Sequence, residues 1–583
     1  MKPSGLVLFV FSSAVAHEPY AQALAEACSA WTHEEQETVN LLQVDLAPEK
    51  FSLQAHVGAQ QQGGLAGKNA NPSNVLNYPN HSSGAMPTPS FYFVINNGIL
   101  FGNPDQGEMV TGADAHCVHV AAVTCPAASQ KDCFLCVGKM VEVSNQLTGA
   151  LTSPEFKDGL VVMVSDSSLK SEPSKALWHK TFGVSKQQDG ANCALEIGTG
   201  ISKGLYVAGF GYNSLTKSVD RTLLKYHSNG TLAWQIFLDP DAPSSGLSSS
   251  SRVVGGFEWI GPSVGGGVVL GGFVKARLDM PLDFKSYGNV DDCTATITVI
   301  DGELLASGKL VLQDTLDVEL SKAFSVKKVL QITAGDDEEK FVAVSGGDPQ
   351  QMPTITMLSS ELQVEWQITV PIQAEATDLA VDSSGSYFIM SGHVDYLVQP
   401  VGFKTYDARF TRVENKDYHK MANYTSGMVV QPTWQSTFGD NASIIFDECW
   451  GLQFLPDAAP GGLGDSVVVA CASGVEPGTC SKVAWASIPA AGSAGSKWIG
   501  PSTAAECTAI GEKWKNLNMR IRAQDGALIW MRTDDFLQPD SRLQGEKPAG
   551  SATEYSVLTR DGGLLGVTDE SDGIGFLKFS TQR

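Results

Sequence analysis

Hydrophobic and polar positions change their spacing along the chain. Before about residue 110, apolar runs alternate with stretches of helical periodicity. Gly5–Phe11 and Val39–Asp45 read as strands, and Glu18–Trp31 and Glu49–Val57 read as helices, with Leu24 and Ala27 on the inner face of the first. From about residue 156 the pattern becomes one of short apolar runs broken by Gly, Asn and Asp turns. Two elements recur there. One is a strand with an early tryptophan, beginning at Trp178, Trp234, Trp366, Trp434 and Trp530. Some copies follow a turn such as Ser228-Asn229-Gly230 or Gln524-Asp525-Gly526. The other is an apolar strand ending in or near small residues: Leu205–Gly209, Val268–Gly272, Phe341–Gly346, Tyr387–Gly392, Val467–Cys471 and Leu564–Thr568.

Repetition at this interval predicts stacked supersecondary units. Six copies of the small-residue strand predict about six four-stranded blades over residues 156–583, with these strands innermost, where side-chain room is least. The unit Asp378–Gly385 followed by Tyr387–Gly392 resembles the bacterial-type β-propeller repeat, which implies a ring of blades. The last repeat, Thr553–Ser580, has no tryptophan strand, while the Trp178 strand precedes the first complete repeat. Trp178–Phe182 is therefore expected to complete the last blade and leave no open edge.

The N-terminal β-α-β-α order continues through a polar insert into Met86-Pro87-Thr88, an apolar strand and Asn97-Gly98. Over residues 1–125 this resembles the thioredoxin superfamily. The resemblance implies a multidomain chain, an α/β thioredoxin-like domain followed by an all-β propeller, with Pro87 as a cis-proline candidate. The family's Cys-x-x-Cys falls on Ala14-Val15-Ala16-His17, so the redox positions Ala14 and His17 are degenerate. Disulfide exchange needs an attacking and a resolving thiol, and neither is present there. Residues 1–16 also read as a signal peptide.

Cys117, Cys125, Cys133 and Cys136 lie close together, and the run from Cys133 to Leu147 reads as a helix in a connector over residues 126–155. Two disulfides are the favoured reading. Free thiols, a zinc site drawing on His116 or His119, and a redox-active Cys133/Cys136 pair remain as alternatives. Cys449 with Cys471 and Cys480 with Cys507 are further disulfide candidates. The inserts at 279–292 and 474–515 are expected to carry recognition.

Composition narrows the function classes. The 583 residues carry a net charge of −23, which is opposite to the basic face of a nucleic-acid binder. After the N-terminus, no apolar run is long enough for a membrane helix. Asn80, Asn229, Asn423 and Asn441 head glycosylation sequons, and with the cysteines they favour a secreted, lumenal or cell-surface setting over a cytoplasmic one. No Gly-x-Ser-x-Gly, His-Glu-x-x-His or phosphate loop occurs, and no catalytic residue, metal or cofactor is assigned. The expectation is a non-enzymatic scaffold that binds other proteins or joins a larger assembly. The alternatives are an enzyme, either a propeller hydrolase or lyase or a thiol oxidoreductase using Cys133 and Cys136, and a carbohydrate-binding propeller with Trp259, Trp498 and Trp514 as platforms.

Overall fold

A computed structural model of the chain describes residues 89–96, 108–120, 125, 132–142, 157–165 and most of 176–579. These residues form a propeller of seven four-stranded blades. The first strand, β1 (Pro89–Asn96), belongs to the last blade. Blade 1 comprises β2 (Glu108–Val120), β3 (Cys133–Glu142), β4 (Lys157–Ser165) and β5 (Trp178–Phe182). Blade 2 comprises β6 (Gly190–Ile197), β7 (Gly204–Asn213), β8 (Ser218–Tyr226) and β9 (Leu232–Leu238). Blade 3 comprises β10 (Arg252–Ser263), β11 (Gly267–Leu278), β12 (Cys293–Ile300) and β13 (Leu316–Leu320), and one parallel bridge, Val254 to Val219, ties it to blade 2. Blade 4 comprises β14 (Val326–Gln331), β15 (Phe341–Ser345), β16 (Thr354–Leu358) and β17 (Val364–Thr369). Blade 5 is built from β18 (Ala376–Val381), β19 (Tyr387–Val398), β20 (Phe403–Glu414) and, after the short β21 (Met428–Val429) that edges blade 4, β22 (Trp434–Phe438). Blade 6 comprises β23 (Phe446–Leu455), β24 (Ser466–Gly474), β25 (Trp514–Arg522) and β26 (Leu528–Asp534). In blade 7, β27 (Ser551–Leu558), β28 (Leu564–Glu570) and β29 (Gly573–Phe579) pair in order, and β29 then pairs antiparallel with β1.

The ring is thus closed by strand exchange, with a different strand from the one expected. The Trp178 strand pairs with β4, Met163 opposite Trp178, and completes blade 1. Blade 1 already has its four strands in sequence, so the unfilled outer place in blade 7 goes to the segment upstream of it. That segment, the proline-led apolar strand before Asn97-Gly98, and β2 both fall within the 1–125 span of the thioredoxin resemblance, and both are propeller strands. A thioredoxin-like domain is not shown. Ala14, His17, Asn80 and Pro87 lie outside the described residues.

Seven blades replace the expected six because the second strand of one repeat was read as the start of a helix. Cys133–Glu142 is β3, a strand rather than the start of a helix, and Cys133 to Val137 are buried in succession. A strand covered on both faces reads as a continuous apolar run, which periodicity does not separate from a buried helix. The small-residue repeats are also one place further out than expected: they are the second strands β7, β11, β15, β19, β24 and β28. Their glycines face inner-strand backbone. A Cβ on Gly209 would lie 2.1 Å from the Gly190 carbonyl oxygen, and one on Gly272 would lie 2.1 Å from that of Gly256.

The tryptophan strands are outermost, and their indoles dock on the next blade. Trp178 Nε1 donates to the Ser228 carbonyl at 2.9 Å, and Trp434 Nε1 donates to that of Ala523 at 3.2 Å. In each case the ring lies on a turn glycine, Gly230 or Gly526, where a Cβ would come within 2.7 Å of the indole. Both glycines have positive φ, 79° and 71°, so neither backbone conformation nor space favours another residue. Between blades, apolar clusters such as Val342, Ile355, Trp366, Leu379 and Phe388 fill the space that the facing sheets leave.

Candidate active site

The inner strands β6, β10, β14, β18, β23 and β27 each carry a register shift of one residue against the second strand, and β2 has a longer irregularity between Thr111 and His116. Such bulges bend a strand and redirect side chains. The residues immediately after them are His116, Cys193, Trp259, Lys328, Asp378, Gly451 and Tyr555, one from each blade. The His116 ring lies 5.2 Å from that of Trp259 and 4.1 Å from that of Tyr555, and the Trp259 and Tyr555 rings are 6.2 Å apart. Blade 7 and blade 3 can touch only across the propeller axis, so these side chains meet in the central channel.

Hydrogen bonds to the following blade hold the layer. The Ala194 backbone N–H donates to His116 Nδ1 at 3.1 Å, and the Leu452 N–H donates to Asp378 Oδ2 at 2.6 Å. The bulged residues make a second set: Asn192 Nδ2 donates to the Phe257 carbonyl, and Thr377 Oγ1 donates to that of Cys449. Asp378 Oδ1 also receives Lys328 Nζ at 2.6 Å and the Leu379 N–H at 2.6 Å. Lys328 Nζ lies 4.4 Å from the centroid of the Trp259 ring. Gln453 Nε2 donates to the Tyr555 hydroxyl at 2.8 Å.

Because an amide N–H can only donate, His116 Nδ1 is the acceptor and its ring proton is on Nε2. Burial, and next the nearby Lys328 charge, push the His116 pKa down to about 3, so the ring is neutral at ordinary pH. Burial pushes the Asp378 carboxyl up, against the pull of Lys328 and the two backbone donors. Burial also holds the Tyr555 phenol well above its ordinary range, with the Asp378 charge adding to it, so the phenol keeps its proton. His116 Nε2 and Trp259 Nε1 are buried donors with no acceptor among the described residues.

A cavity of about 420 Å³ opens from this layer toward the face where the inner strands of blades 4 to 6 end. Trp259, Lys328 and Tyr555 line its inner part, with Val381, Asp382, Ser383, Gln453 and Phe454 among its walls. Its size and mixture of aromatic and polar groups suit a small-molecule site.

Of the residues singled out in sequence, only Trp259 reaches this cavity. Trp514 packs instead against Phe446 and Trp450, and Trp498 lies outside the described residues. The cysteines pair as Cys117–Cys136, Cys125–Cys133, Cys449–Cys471 and Cys480–Cys507. Cys133 and Cys136 are therefore in separate, buried disulfides on a strand, and neither is the exposed low-pKa thiol of an oxidoreductase. With all four thiols bonded, the zinc reading also falls, and among the described residues no group of three or more His, Cys, Asp or Glu is arranged to hold a metal. Four disulfides accord with an oxidising compartment, and no helix among the described residues is long and apolar enough to cross a membrane. Asn229 and Asn423 are exposed, and Asn441 lies outside the described residues. Sequence reasoning missed His116 as an axial group, and Lys328, Asp378, Gln453 and Tyr555 altogether. The available signal was a polar or aromatic residue two or three places into a short apolar strand, as in Val326-Lys327-Lys328-Val329.

No protein-family model matches the chain, and no curated relative matches it. Among solved structures, the chain is similar to the Dos1 propeller (10% identity, 85% of this chain and 95% of that one, TM-score 0.30). It is similar also to the soluble aldose sugar dehydrogenase of Escherichia coli (10%, 64% and 95%, 0.28) and to the NanB sialidase of Streptococcus pneumoniae (8%, 85% and 99%, 0.36). Likeness at this level bears on architecture, not on substrate or mechanism. The expectation of a non-enzymatic scaffold is corrected: propeller enzymes stand among these neighbours, and its alternative, an enzyme, is carried forward.

Proposed function

We propose that the protein is an enzyme of the hydrolase or lyase type acting on a small polyhydroxylated, carbohydrate-like substrate in the axial cavity. The observation that carries this reading is the Tyr555 phenol. It lines the cavity, stays protonated, accepts from Gln453 and gives its own proton to no acceptor among the described residues. A phenol so held can donate to a leaving oxygen, as a general acid does. Lys328 lies beside it in the cavity wall, its charge paired with Asp378 at 2.6 Å. The aromatic faces of Trp259 and Phe454 suit the C–H faces of a sugar ring, and Gln453, Asp382 and Ser383 suit its hydroxyls.

The test is a panel of nitrophenyl glycosides and esters, together with oligosaccharides whose elimination gives an ultraviolet-absorbing product. Turnover is expected on at least one member. Tyr555→Phe, which keeps the ring and removes the proton, should lower kcat by about 10²-fold or more. Turnover unchanged by Tyr555→Phe, or none across the panel, would reject the proposal.

A further inference from the structure

At the position after the inner-strand irregularity, six blades carry a side chain and blade 6 has Gly451. Tyr555 of the next blade uses the room this leaves. A Cβ on Gly451 would lie 2.9 Å from Tyr555 Cδ2 and 3.0 Å from Tyr555 Cα, so the tyrosine lies directly against the backbone of β23. Gln453 stands two residues further along β23, and side chains two apart on a strand share a face. That face therefore offers bare backbone to the ring and an amide to the hydroxyl, with Gln453 Nε2 donating to the Tyr555 oxygen at 2.8 Å. Both side chains line the cavity. A phenol has a single proton, and with an amide N–H on its oxygen that proton is turned away from Gln453. The same N–H favours the negative charge left when the proton departs. Burial, and next the Asp378 charge, hold the proton on, and the Gln453 donor acts against them.

We infer that Gln453 is the positioning residue of the proposed acid, holding the Tyr555 oxygen so that its proton is presented to the leaving oxygen of the substrate. The inference rests on the proposed reaction and adds a residue to it. In a hydrolysis the phenol O–H bond breaks and its proton joins the leaving oxygen, which keeps the electron pair of the bond to the rest of the substrate. The attacking water gives its hydroxyl to the other fragment, and its remaining proton restores the phenol. Between the two transfers the phenolate carries the charge, and the Gln453 N–H is directed at it. Turned over, the amide would present its carbonyl oxygen and take up the proton that the substrate needs.

The test uses the full chain and the panel member it turns over, prepared as its 4-nitrophenyl, phenyl and methyl derivatives. These leaving groups need protonation in rising order, so loss of an acid is felt least on the first and most on the last. Tyr555→Phe should show that gradient. Gln453→Glu keeps the size of the side chain but, as a carboxylate, only accepts from the phenol. It should reproduce the gradient, and adding Tyr555→Phe to it should cost nothing further. Gln453→Leu removes the donor and should lower kcat on the methyl derivative about tenfold or more, the value of one hydrogen bond to a charged group. Its effect on the 4-nitrophenyl derivative should be smaller, and KM should change little. A loss equal on all three derivatives, or no loss, in both Gln453 variants would overturn the inference, because a merely structural change does not grade with the leaving group. If Tyr555→Phe grades and the Gln453 variants do not, the inference falls and the proposed reaction stands. If Tyr555→Phe gives no gradient, or nothing in the panel is turned over, the proposed acid is rejected and its positioning residue with it.

Discussion

Blades 1 and 5 place different chemistry in the same structural position. In each, the residue after the inner-strand irregularity accepts a backbone N–H from the next blade, Ala194 to His116 and Leu452 to Asp378. The accepting residue is a neutral imidazole in one and a carboxylate in the other. The difference shows what these two blades share and what they leave open: both give an acceptor to the next blade, and the remaining valence of the side chain is available for other use. Asp378 spends that valence on Lys328, giving a closed, fully bonded pair. His116 keeps an N–H directed at nothing described.

The largest expected effect breaks the closed side of this comparison. Asp378→Ala leaves Lys328 buried without its counterion and should destabilise the fold by about 3–5 kcal/mol in denaturant titration, whereas Lys328→Met with Asp378→Leu should recover most of that loss. A single substitution that is tolerated would mean that the remaining bond from Lys328 Nζ to the Leu452 carbonyl, at 3.4 Å, is enough to hold the ammonium.

Acid should act on the open side. The His116 pKa falls from 6.5 unfolded to about 3 folded, so its contribution is complete above pH 6.5 and is lost as pH falls toward 3. Asp189, raised by burial from 3.8 to about 6, acts in the opposite sense: the folded state takes up its proton first, and stability is gained as pH falls from 6. The two oppose each other in the native protein, and a His116 variant isolates the imidazole's share. Between pH 6 and pH 4, the native protein should lose about 1.4 kcal/mol more per pH unit than His116→Leu. Parallel slopes would place the imidazole in contact with solvent.

At neutral pH His116→Leu should cost about 1–2 kcal/mol, because it strands the Ala194 N–H. The smallest effect belongs to the bulge residues. Thr377→Val removes the hydrogen bond to the Cys449 carbonyl and the contact with the Ser391 hydroxyl, and should cost about 1 kcal/mol by thermal unfolding.

Much of the propeller was legible because its constraints are steric and local. A glycine that must admit an indole, as at Gly230 and Gly526, leaves a turn and a tryptophan at fixed offsets. The seventh repeat was not legible. In the run from Cys133 to Leu147 the apolar spacing through Val137, Met140, Val141 and Val143 suggested a helix, although Gly138 ends its first part much as Gly209 ends its counterpart. The strand that closes the ring was misassigned for a different reason. Pro89–Asn96 meets β29 only through contacts almost the whole chain apart, and no local pattern encodes such a pairing. The site itself lay below the resolution of sequence reading. His116, Trp259, Lys328, Asp378 and Tyr555 stand in five different blades, and only bulges of one or a few residues bring them to one level.

The docking of each tryptophan strand on the next blade has one direction. Blades 1 and 5 each offer an indole on one side, and the blade that follows offers a glycine turn to receive it, Trp178 on Gly230 and Trp434 on Gly526. This is a heterologous contact, the kind that joins subunits head to tail, and such contacts yield a closed ring only when the rotation between neighbours divides a full turn. The chain is in that sense a cyclic assembly whose subunits happen to be covalently linked. Gaining or losing one blade would change the angle demanded of every remaining interface, whereas a change at a hairpin tip or in the axial layer asks no new angle of any neighbour.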